Sequence, residues 1–331
     1  MTVMRFVSLI PLMILLVSCR GQAPPLSPTE PGPASTETPS PEPPAASTFA
    51  VIGYFPDYQE LNPARADSLT DIIYFSAEPT AEGGLDTSRF DENTLAELHE
   101  MQGRHGVRLL ISIGGWERSS RFAAMTADAE TRRAFVENLA EYVHVNKLNG
   151  VDFDWEFPQD EVEFRNYIRL LEEVKADFEP RGWIVSVALS PDSEFPLKEY
   201  AAADRVHIMS YDRQPRHAAY EQAVQDIEKF INAGIPPEKL ILGVPFYGRK
   251  IIPPYAEATY ADIVSRYHPA PDVDEVDGIF FNGMGTIRNK TCLAVSRRLG
   301  GVMIWELAHD TTDDTSLLGA IRQALASGCG P

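Results

Sequence analysis

Beyond about residue 49, the chain alternates between short, almost continuously apolar runs and longer stretches in which apolar residues recur every three or four positions. The short runs are rich in β-branched residues and are typical of parallel strands covered on both faces. Eight strands are predicted, at Ala50–Phe55, Asp71–Ala77, Val107–Gly114, Val151–Glu156, Trp183–Leu189, Val206–Tyr211, Leu240–Phe246 and Val302–Leu307.

The stretches between the strands predict amphipathic helices. The clearest one carries its apolar stripe at Phe164, Tyr167, Ile168, Leu171, Val174 and Phe178. Asp128 is a candidate N-cap for an earlier helix, and Gly234 is a candidate stop for a later one. A helix at Ser316–Ala326 closes the chain. The first connection, about Pro56–Thr70, is too short and too rich in proline for a full helix.

Eight strands alternating with helices over about 280 residues predict a single-domain (β/α)8 TIM barrel at residues 49–331. An open, doubly wound sheet is the alternative. It is disfavoured because no glycine-rich phosphate loop follows any strand, and neither GxGxxG nor GxxxxGK occurs.

Acidic residues alternate with large apolar ones on the fourth predicted strand. Residues 149–158 read N-G-V-D-F-D-W-E-F-P. Residues two apart on a strand lie about 6.5–7 Å from each other on one face, so Asp152, Asp154 and Glu156 share a side. A solvated acidic face is the simplest interpretation. However, three carboxylates without Lys, Thr or Ser among them indicate a site where repulsion and partial burial raise at least one pKa.

Polar and aromatic residues also end several other predicted strands. They are Tyr54, Ser112 to Trp116, Met209 to Asp212, Tyr247, Arg249, Trp305 and Glu306. In a barrel these positions meet on the C-terminal rim, where catalytic groups lie. Aromatic rings beside carboxylates suit a sugar, because its faces stack on the rings while its hydroxyls bond to the acids.

The first residues predict targeting and tethering rather than a folded domain. Arg5 precedes an apolar run, Phe6–Val17, that has the length of a signal-peptide core. The run ends in L-V-S-C and resembles the lipobox of bacterial lipoproteins, so residues 1–18 are predicted to be a lipoprotein signal peptide and Cys19 to carry the lipid. An ordinary secretory signal with a chance cysteine is the alternative. We expect export and anchoring to the bacterial cell envelope.

Residues 19–48 predict a disordered tether. Residues 22–48 hold nine of the chain's 26 prolines, together with Ser, Thr, Ala and Glu. Such a composition cannot bury enough apolar surface to fold.

The net charge is -19 with no basic block, which argues against a nucleic-acid partner. A monomer is expected. An exported chain permits a disulfide between Cys292 and Cys329, although two free thiols fit the sequence equally well.

The motifs as a set resemble glycoside hydrolase family 18, the chitinase-like enzymes. The family pattern DGxDxDxE corresponds to N-G-V-D-F-D-W-E at residues 149–156. The family's SxGG, MxYD and GVPFYGR elements correspond to residues 112–115, 209–212 and 243–249, and its closing strand with a tryptophan to residues 301–305. The resemblance extends from about Phe49 to Ala326.

The resemblance implies a role for each matching residue. Glu156 would be the general acid and base, and Asp154 would orient the 2-acetamido group of the substrate. Asp152 would support Asp154 from below, and Tyr211 would bond the acetamido carbonyl. The remaining implied substrate-binding residues are Tyr54, Trp116, Met209, Asp212, Tyr247, Arg249 and Trp305.

The same resemblance implies hydrolysis of β-1,4-linked N-acetylglucosamine chains without a protein nucleophile. Family 18 is a substrate-assisted exception to the two-carboxylate rule. One position departs from the family, because Asn149 occupies the place of its first acid. We expect activity to survive there with an altered pH profile. Asn149 followed by Gly150 also fits a simple helix stop before the strand.

About 36 residues separate Arg249 from the helix predicted near Thr286, too few for the α+β insertion of some chitinases. A shallower, more open cleft is therefore expected. Aromatic residues in this stretch would line the cleft edge or, more simply, anchor the loop; they are Tyr255, Tyr260, Tyr267, Phe280 and Phe281.

Two other functions fit parts of the pattern. An endo-β-N-acetylglucosaminidase that cuts N-glycans shares the family, but the D-W-E and S-Y-D forms look more like chitinases. A non-catalytic sugar-binding relative would be expected to lack the acid at Glu156. The seven histidines show no HExxH motif, so no metal is expected, and no cofactor is expected either.

Overall fold

The computed structural model describes residues 49–329, so the predicted signal peptide and tether lie outside the described residues. The strands of the described part are β1 (Ala50–Pro56), β2 (Asp71–Pro79), β3 (Leu85–Asp86), β4 (Arg108–Gly114), β5 (Gly150–Asp154), β6 (Ile184–Leu189), β7 (Arg205–Ile208), β8 (Leu240–Pro245), β9 (Tyr247–Lys250), β10 (Glu257–Thr259), β11 (Glu275–Val276), β12 (Ile279–Phe280) and β13 (Gly301–Trp305). Its α-helices are α1 (Glu92–His105), α2 (Phe122–Ala127), α3 (Ala129–Val145), α4 (Glu161–Phe178), α5 (Tyr220–Asn232), α6 (Tyr260–Tyr267), α7 (Met284–Ser296) and α8 (Leu317–Ala326).

Eight parallel strands close into a barrel, which confirms the predicted (β/α)8 fold. The hydrogen-bonded order is β1-β13-β8-β7-β6-β5-β4-β2, and β1 pairs in parallel with both β2 and β13. The short β3 is added to β2 in antiparallel orientation. The C-terminal ends of all eight barrel strands therefore lie on one rim.

The hydrophobic core has two layers because side chains alternate across each strand. The inner layer fills the barrel with Ala50, Ile52, Tyr54, Ile73, Phe75, Leu110, Ile241 and Met303. The outer layer packs strands against helices and includes Val151 and Phe153 of β5. Since these two residues point outward, Asp152 and Asp154 point into the barrel, as the period of two predicts.

Helix ends follow the predicted capping chemistry. The Asp128 carboxyl accepts hydrogen bonds from the backbone N–H groups of Glu130 and Thr131, which begins α3. Gly234 follows α5 with a φ of 97°, a left-handed conformation that favours glycine. The first connection contains only a short 3-10 helix, Pro63–Ser68, as its prolines predict.

Two predicted strands extend too far. The fourth ends at Asp154 rather than Glu156, because the Asp154 carbonyl accepts from Gly115 N–H and the chain then leaves the ladder. The sixth ends at Ile208 rather than Tyr211. There the backbone forms two successive local bonds, Ser210 N–H to the Ile208 carbonyl and Tyr211 N–H to the Met209 carbonyl, which turn the chain away.

Several other predicted boundaries shift by one or two residues. The predicted Val302–Leu307 strand ends at Trp305, where a 3-10 helix, Leu307–His309, follows a single linking residue. The predicted Leu240–Phe246 strand ends at Pro245, which cannot donate to a ladder. These boundary differences leave the order and pairing of the strands unchanged.

The segment between β8 and α7 forms a small subdomain. Strands β9 to β12 make a four-stranded antiparallel sheet in the order β10-β9-β12-β11, accompanied by α6. The stretch is too short for a large insertion, yet it does fold around its own aromatic residues. Tyr260, Phe280 and Phe281 are buried, so these three are anchors of the loop rather than cleft-edge residues.

A disulfide joins Cys292 of α7 to Cys329, just beyond α8, with the two Cα atoms 5.2 Å apart. The sequence had left free thiols as an equal alternative. The bridge closes a loop between cysteines 37 positions apart. In the loop-entropy account a cross-link of that span stabilises a fold by about 4 kcal/mol. It fastens the C-terminal helix to its neighbour.

Within residues 49–329, none of the helices combines the length and apolar character that a bilayer span requires.

Candidate active site

The site begins where β5 leaves the barrel. Asp152 is fully buried and Asp154 is 4% exposed, whereas Glu156, just beyond the strand, is only partly buried. Alternation along β5 points the two aspartates inward, and the chain then carries Glu156 to the rim. The three acids therefore form a series from the barrel interior to its mouth. Trp155, between the last two, packs outward on Phe122 at a ring distance of 5.0 Å.

Two glycines, the last residue of β4 and the one after it, let the backbone approach β5 closely. Gly115 has a φ of 101°, and its N–H donates to the Asp154 carbonyl at 2.6 Å. A Cβ on Gly115 would lie 2.2 Å from the ring of Phe75. The second glycine of the SxGG element is thus required by both backbone conformation and space.

Ser119 fixes the end of β5, and sequence reasoning missed it. Its hydroxyl lies 3.1 Å from the Asp154 carbonyl and 3.0 Å from the Gly115 carbonyl, and it accepts the Glu156 backbone N–H at 3.0 Å. One buried hydroxyl therefore holds the backbone on both sides of Trp155. The sequence around Ser119, four residues after Gly115, has no local pattern that would predict this contact.

A cleft of about 800 Å³ opens at the C-terminal rim. Ten of the eleven predicted catalytic and substrate-binding residues line it, namely Tyr54, Trp116, Asp154, Glu156, Met209, Tyr211, Asp212, Tyr247, Arg249 and Trp305. The eleventh, Asp152, lies in the barrel interior. The volume is ample for a small-molecule or oligosaccharide segment.

Asp152 is held by hydrogen bonds from two strands. Its Oδ2 accepts from the Tyr54 hydroxyl at 2.7 Å, and its Oδ1 accepts from the Ser186 hydroxyl at 2.5 Å. Ser186 lies beside Asp152 on the neighbouring strand β6, whereas Tyr54 belongs to β1, so the Tyr54 bond crosses the barrel interior. The Tyr54 hydroxyl therefore binds Asp152 below the cleft. Only the other atoms of this predicted substrate-binding residue line the cleft.

Asp154 is buried without a full set of partners. Its Oδ1 has no hydrogen-bond partner within the described residues. Burial, reinforced by the charges of Glu156 and Asp152, raises the pKa of Asp154 well above its ordinary value. An oxygen left unpaired in a cleft wall is suited to accept a hydrogen bond from a ligand.

Glu156 has the electrostatics of a general acid. Burial, assisted by the negative charge of Asp212, raises its pKa to about 7. Near neutral pH the group is divided between protonated and ionised forms, which is the best balance for giving and taking protons in turn.

Asp212 forms the charged wall opposite. Its carboxylate accepts from the Tyr247 hydroxyl at 2.7 Å and from Arg249 Nε at 2.6 Å. Burial alone would raise its pKa, but the His217 imidazole 3.7 Å away, the hydrogen bond from Tyr247 and the charge of Arg249 outweigh burial, so the pKa of Asp212 is lowered. Asp212, Tyr247 and Arg249, which were predicted separately, are thus joined by hydrogen bonds.

Aromatic rings surround the acids. Trp305 packs edge-on against Phe75 at 4.8 Å and lies 5.6 Å from Tyr54, which sets its indole across the cleft floor. Trp116, by contrast, is 71% exposed, and Tyr58 is 60% exposed with its hydroxyl bonded to Glu306 at 2.9 Å. A half-buried floor and exposed rings on the rim give a chain of sugars several surfaces on which to stack.

Several cleft residues were not predicted from the sequence. They are Tyr58, Phe75, Arg89, Glu117, Arg118, Ala188, Gln214, Glu257 and Met303. Arg118 shows why: it binds Asp57 with two bonds of 2.8 and 3.1 Å and lies 5.1 Å over Phe75. Asp57 follows β1 and Phe75 lies on β2, so the contacts of Arg118 depend on the pairing of these two strands.

Asn149, the position that departs from the family pattern, lies at the start of β5. Its Oδ1 accepts from Leu109 N–H at 2.8 Å and from Gln102 Nε2 at 2.7 Å. The side chain therefore links the N-terminal ends of β4 and β5 to α1. Its expected influence on the pH profile stays a prediction.

Among residues 49–329 no group of three or more His, Cys, Asp or Glu could hold a metal ion.

A (β/α)8 barrel with three acids at the end of β5, one of them with a pKa of about 7, and an aromatic cleft is typical of enzymes that cleave carbohydrates. The comparisons with known proteins agree. The model of Glycosyl hydrolases family 18 matches residues 50–310, and the chain belongs to this family of glycoside hydrolases.

The similar proteins are described as chitinases. Chitinase 1 of Aphanocladium album is 24% identical over 291 residues, covering 70% of this chain and 68% of that protein. Probable chitinase 2 of Drosophila melanogaster is 22% identical over 272 residues, covering 62% and 56%. The chain thus spans less than two thirds of the length of the second relative.

Solved structures agree with the fold. A family 18 chitinase from Flavobacterium johnsoniae is 27% identical with a TM-score of 0.75, over 85% of this chain and 95% of that one. A chitinase from Bacteroides thetaiotaomicron, at 22% identity and a TM-score of 0.77, covers 86% and 98%. The second likeness supports the fold alone.

Replacing Ser119 with alanine should disturb the site more than the fold. The change leaves the Glu156 N–H without its partner, at a cost of about 1–3 kcal/mol, and frees the backbone that positions Glu156. We expect a lower kcat on a hydrolysed glycan, together with a modest loss in the free energy of unfolding. The exposed neighbour Ser120→Ala is the matched control. Equal kinetics in the two variants would contradict this role.

Proposed function

We propose that the chain hydrolyses β-1,4-linked N-acetylglucosamine polymers or oligomers, such as chitin, with Glu156 as general acid and base. The observation that carries the proposal is the unpaired Oδ1 of buried Asp154, two residues before an acid whose pKa is raised to about 7. An acetamido N–H provides the missing donor for this oxygen. The chitinases among the similar proteins support the same substrate class.

In the first step, Glu156 donates its proton to the glycosidic oxygen as the bond to the anomeric carbon breaks. The acetamido carbonyl oxygen of the same sugar forms a new bond to that carbon and gives an oxazolinium ion. Asp154 accepts the acetamido N–H and stabilises the positive charge that develops there. Glu156 is left as a carboxylate, and the leaving sugar departs with the proton.

In the second step, the Glu156 carboxylate takes a proton from water. The hydroxyl attacks the anomeric carbon from the face that the leaving group vacated, and the oxazolinium ring opens to regenerate the acetamide. Two inversions at one carbon give net retention. A pKa near 7 suits Glu156 to both directions of transfer.

The surrounding residues would bind and distort the sugar. Trp305 provides the floor beneath the ring that reacts, and Tyr211 bonds the acetamido carbonyl so that its oxygen faces the anomeric carbon. Asp212 lies on the far wall, where Tyr247 and Arg249 fix its carboxylate. Holding the nucleophilic oxygen in place lowers the entropy cost of ring closure.

Glu156→Gln should abolish turnover while leaving binding intact. The amide keeps the shape of the side chain but cannot donate the proton, so kcat should fall by about 10²–10⁴-fold or more. The measurement is product analysis on N-acetylglucosamine oligomers beside an N-glycopeptide, with oligomer affinity from calorimetry. Near-normal turnover would overturn the assignment of Glu156. Cleavage of the glycopeptide alone would favour the endo-β-N-acetylglucosaminidase instead.

The pH profile should depend on Asp212. Glu156 must be protonated for the first step, so kcat/KM should be level below pH 7 and fall above it. The ionised Asp212 carboxylate raises the pKa of Glu156, and Asp212→Asn removes that charge. The alkaline limb should therefore move to lower pH, by on the order of one unit.

Glu117→Gln is the matched control for this shift, because it removes a charge from another cleft residue that has no resolved effect on Glu156. The control should keep the alkaline limb of the unmodified chain. A limb that stays in place in Asp212→Asn, or moves equally in both variants, would refute the coupling between Asp212 and Glu156.

We further propose that Cys19 carries a lipid anchor and that residues 19–48 tether the barrel to the cell envelope. The support is the apolar run that ends in L-V-S-C and the proline-rich segment after it. Cys19→Ala should release the protein from the membrane fraction on expression in a bacterial host, as fractionation would measure. A variant that stayed membrane-bound would contradict the anchor.

A further inference from the structure

Inside the barrel, below the cleft, lies a histidine that the mechanism does not use. His207 of β7 is fully buried. Its Nδ1 lies 2.9 Å from the Tyr54 hydroxyl and 3.4 Å from Asp152 Oδ1. Its Nε2 has no hydrogen-bond partner among the described residues. Among the described residues, the imidazole therefore contacts Tyr54 and Asp152 through Nδ1 and not through Nε2.

The hydrogen-bond count decides which nitrogen carries the proton. Tyr54 has one hydroxyl proton, and it donates to Asp152 Oδ2 at 2.7 Å. The contact between Tyr54 and His207 can then form only if Nδ1–H donates to the phenol oxygen. The opposite tautomer would take the Tyr54 proton away from Asp152 and would leave an Nε2–H buried without an acceptor. The Nδ1–H tautomer allows two hydrogen bonds, from His207 to Tyr54 and from Tyr54 to Asp152, whereas the Nε2–H tautomer allows one.

The neutral form is the stable one at this position. Burial lowers the pKa of His207 to about 4; Asp152 and Asp71 oppose this lowering, and Arg205 adds to it. The facing groups are Tyr54 from β1, Asp152 from β5 and Asp71 from β2, with Arg205 on β7 itself. Asp71 is already paired with Arg108 and Arg205, at 2.8 and 3.0 Å. The charged groups on neighbouring strands therefore do not make His207 take up a second proton.

We propose that His207, as the neutral Nδ1–H tautomer, is a positioning residue that directs the Tyr54 proton onto Asp152 and thereby fixes the acid beneath Asp154. The relay runs from His207 Nδ1–H to the Tyr54 oxygen, and from the Tyr54 hydroxyl to Asp152 Oδ2. A donor to the phenol oxygen strengthens the bond that the phenol makes onward. The inference rests on the proposed function, in which Asp154 acts on the substrate.

The consequence reaches the reacting groups through Asp152. Its carboxylate is held by Tyr54, by Ser186 at 2.5 Å and by the longer contact to His207. The charge of Asp152 in this position helps to raise the pKa of Asp154. His207 touches no substrate and contributes by orienting these groups.

Nuclear magnetic resonance of the full chain labelled with 15N-histidine tests the tautomer directly. The His207 signals, assigned from the spectrum of His207→Asn, should show a protonated Nδ1 and an unprotonated Nε2 at every pH from 5 to 8. A protonated Nε2 with a bare Nδ1, or an imidazolium in that range, would overturn the proposal. This result does not depend on catalysis, so it stands apart from any failure of the proposed function.

Two variants test the positioning role. His207→Asn places an amide donor near the position of Nδ1, whereas His207→Leu removes it. In the leucine variant kcat should fall on the order of tenfold, with KM within about twofold, the effect of losing one buried hydrogen bond. The asparagine variant should keep kcat and KM within about threefold of the unmodified chain.

Equal kcat in the two variants would refute the positioning role. A purely structural role would lower thermal stability in both without separating kcat from KM. If the unmodified chain does not cleave N-acetylglucosamine oligomers, the proposed function fails, and the tautomer measurement still decides the state of His207.

Discussion

The site depends on keeping a carboxyl group, Asp154, inside the mouth of the barrel with one oxygen unpaired. An unsatisfied buried polar atom costs about 1–3 kcal/mol, and neighbouring negative charges add to that cost. The backbone makes the arrangement tolerable. Gly115 and Ser119 bind the chain on both sides of Trp155, so the carboxyl cannot relax toward solvent. The unpaired oxygen is therefore available to a ligand that brings its own donor.

The three acids differ because their surroundings differ, not because of their chemistry. Asp152 has donors from two strands and lies wholly inside the barrel. Asp154 has an unpaired oxygen, and its pKa is raised well above its ordinary value. Glu156, at the rim and facing the Asp212 charge, has a pKa of about 7. In the proposed mechanism, position between the barrel interior and its rim therefore makes Asp152 the anchor, Asp154 the residue that orients the substrate and Glu156 the residue that carries the proton.

The sequence predicted what depends on local periodicity and missed what depends on closure of the barrel. Alternation along β5 placed Asp152 and Asp154 inside, and strand–helix alternation predicted the barrel itself. The strand was predicted two residues too long, since nothing local shows that Gly115 terminates its ladder. Ser119 acts on the end of the neighbouring strand and His207 acts across the barrel interior, each on residues far away in the chain. Neither spacing nor composition signals such contacts.

The most direct test of the account is to sequence the products formed from partially deacetylated chitin by mass spectrometry. If the acetamido oxygen attacks the anomeric carbon while Asp154 holds its N–H, every newly formed reducing end must carry an N-acetyl group. The account predicts N-acetylglucosamine at all of these ends, whatever sugar lies on the other side of the cut. New reducing ends of glucosamine, formed at a comparable rate, would contradict it.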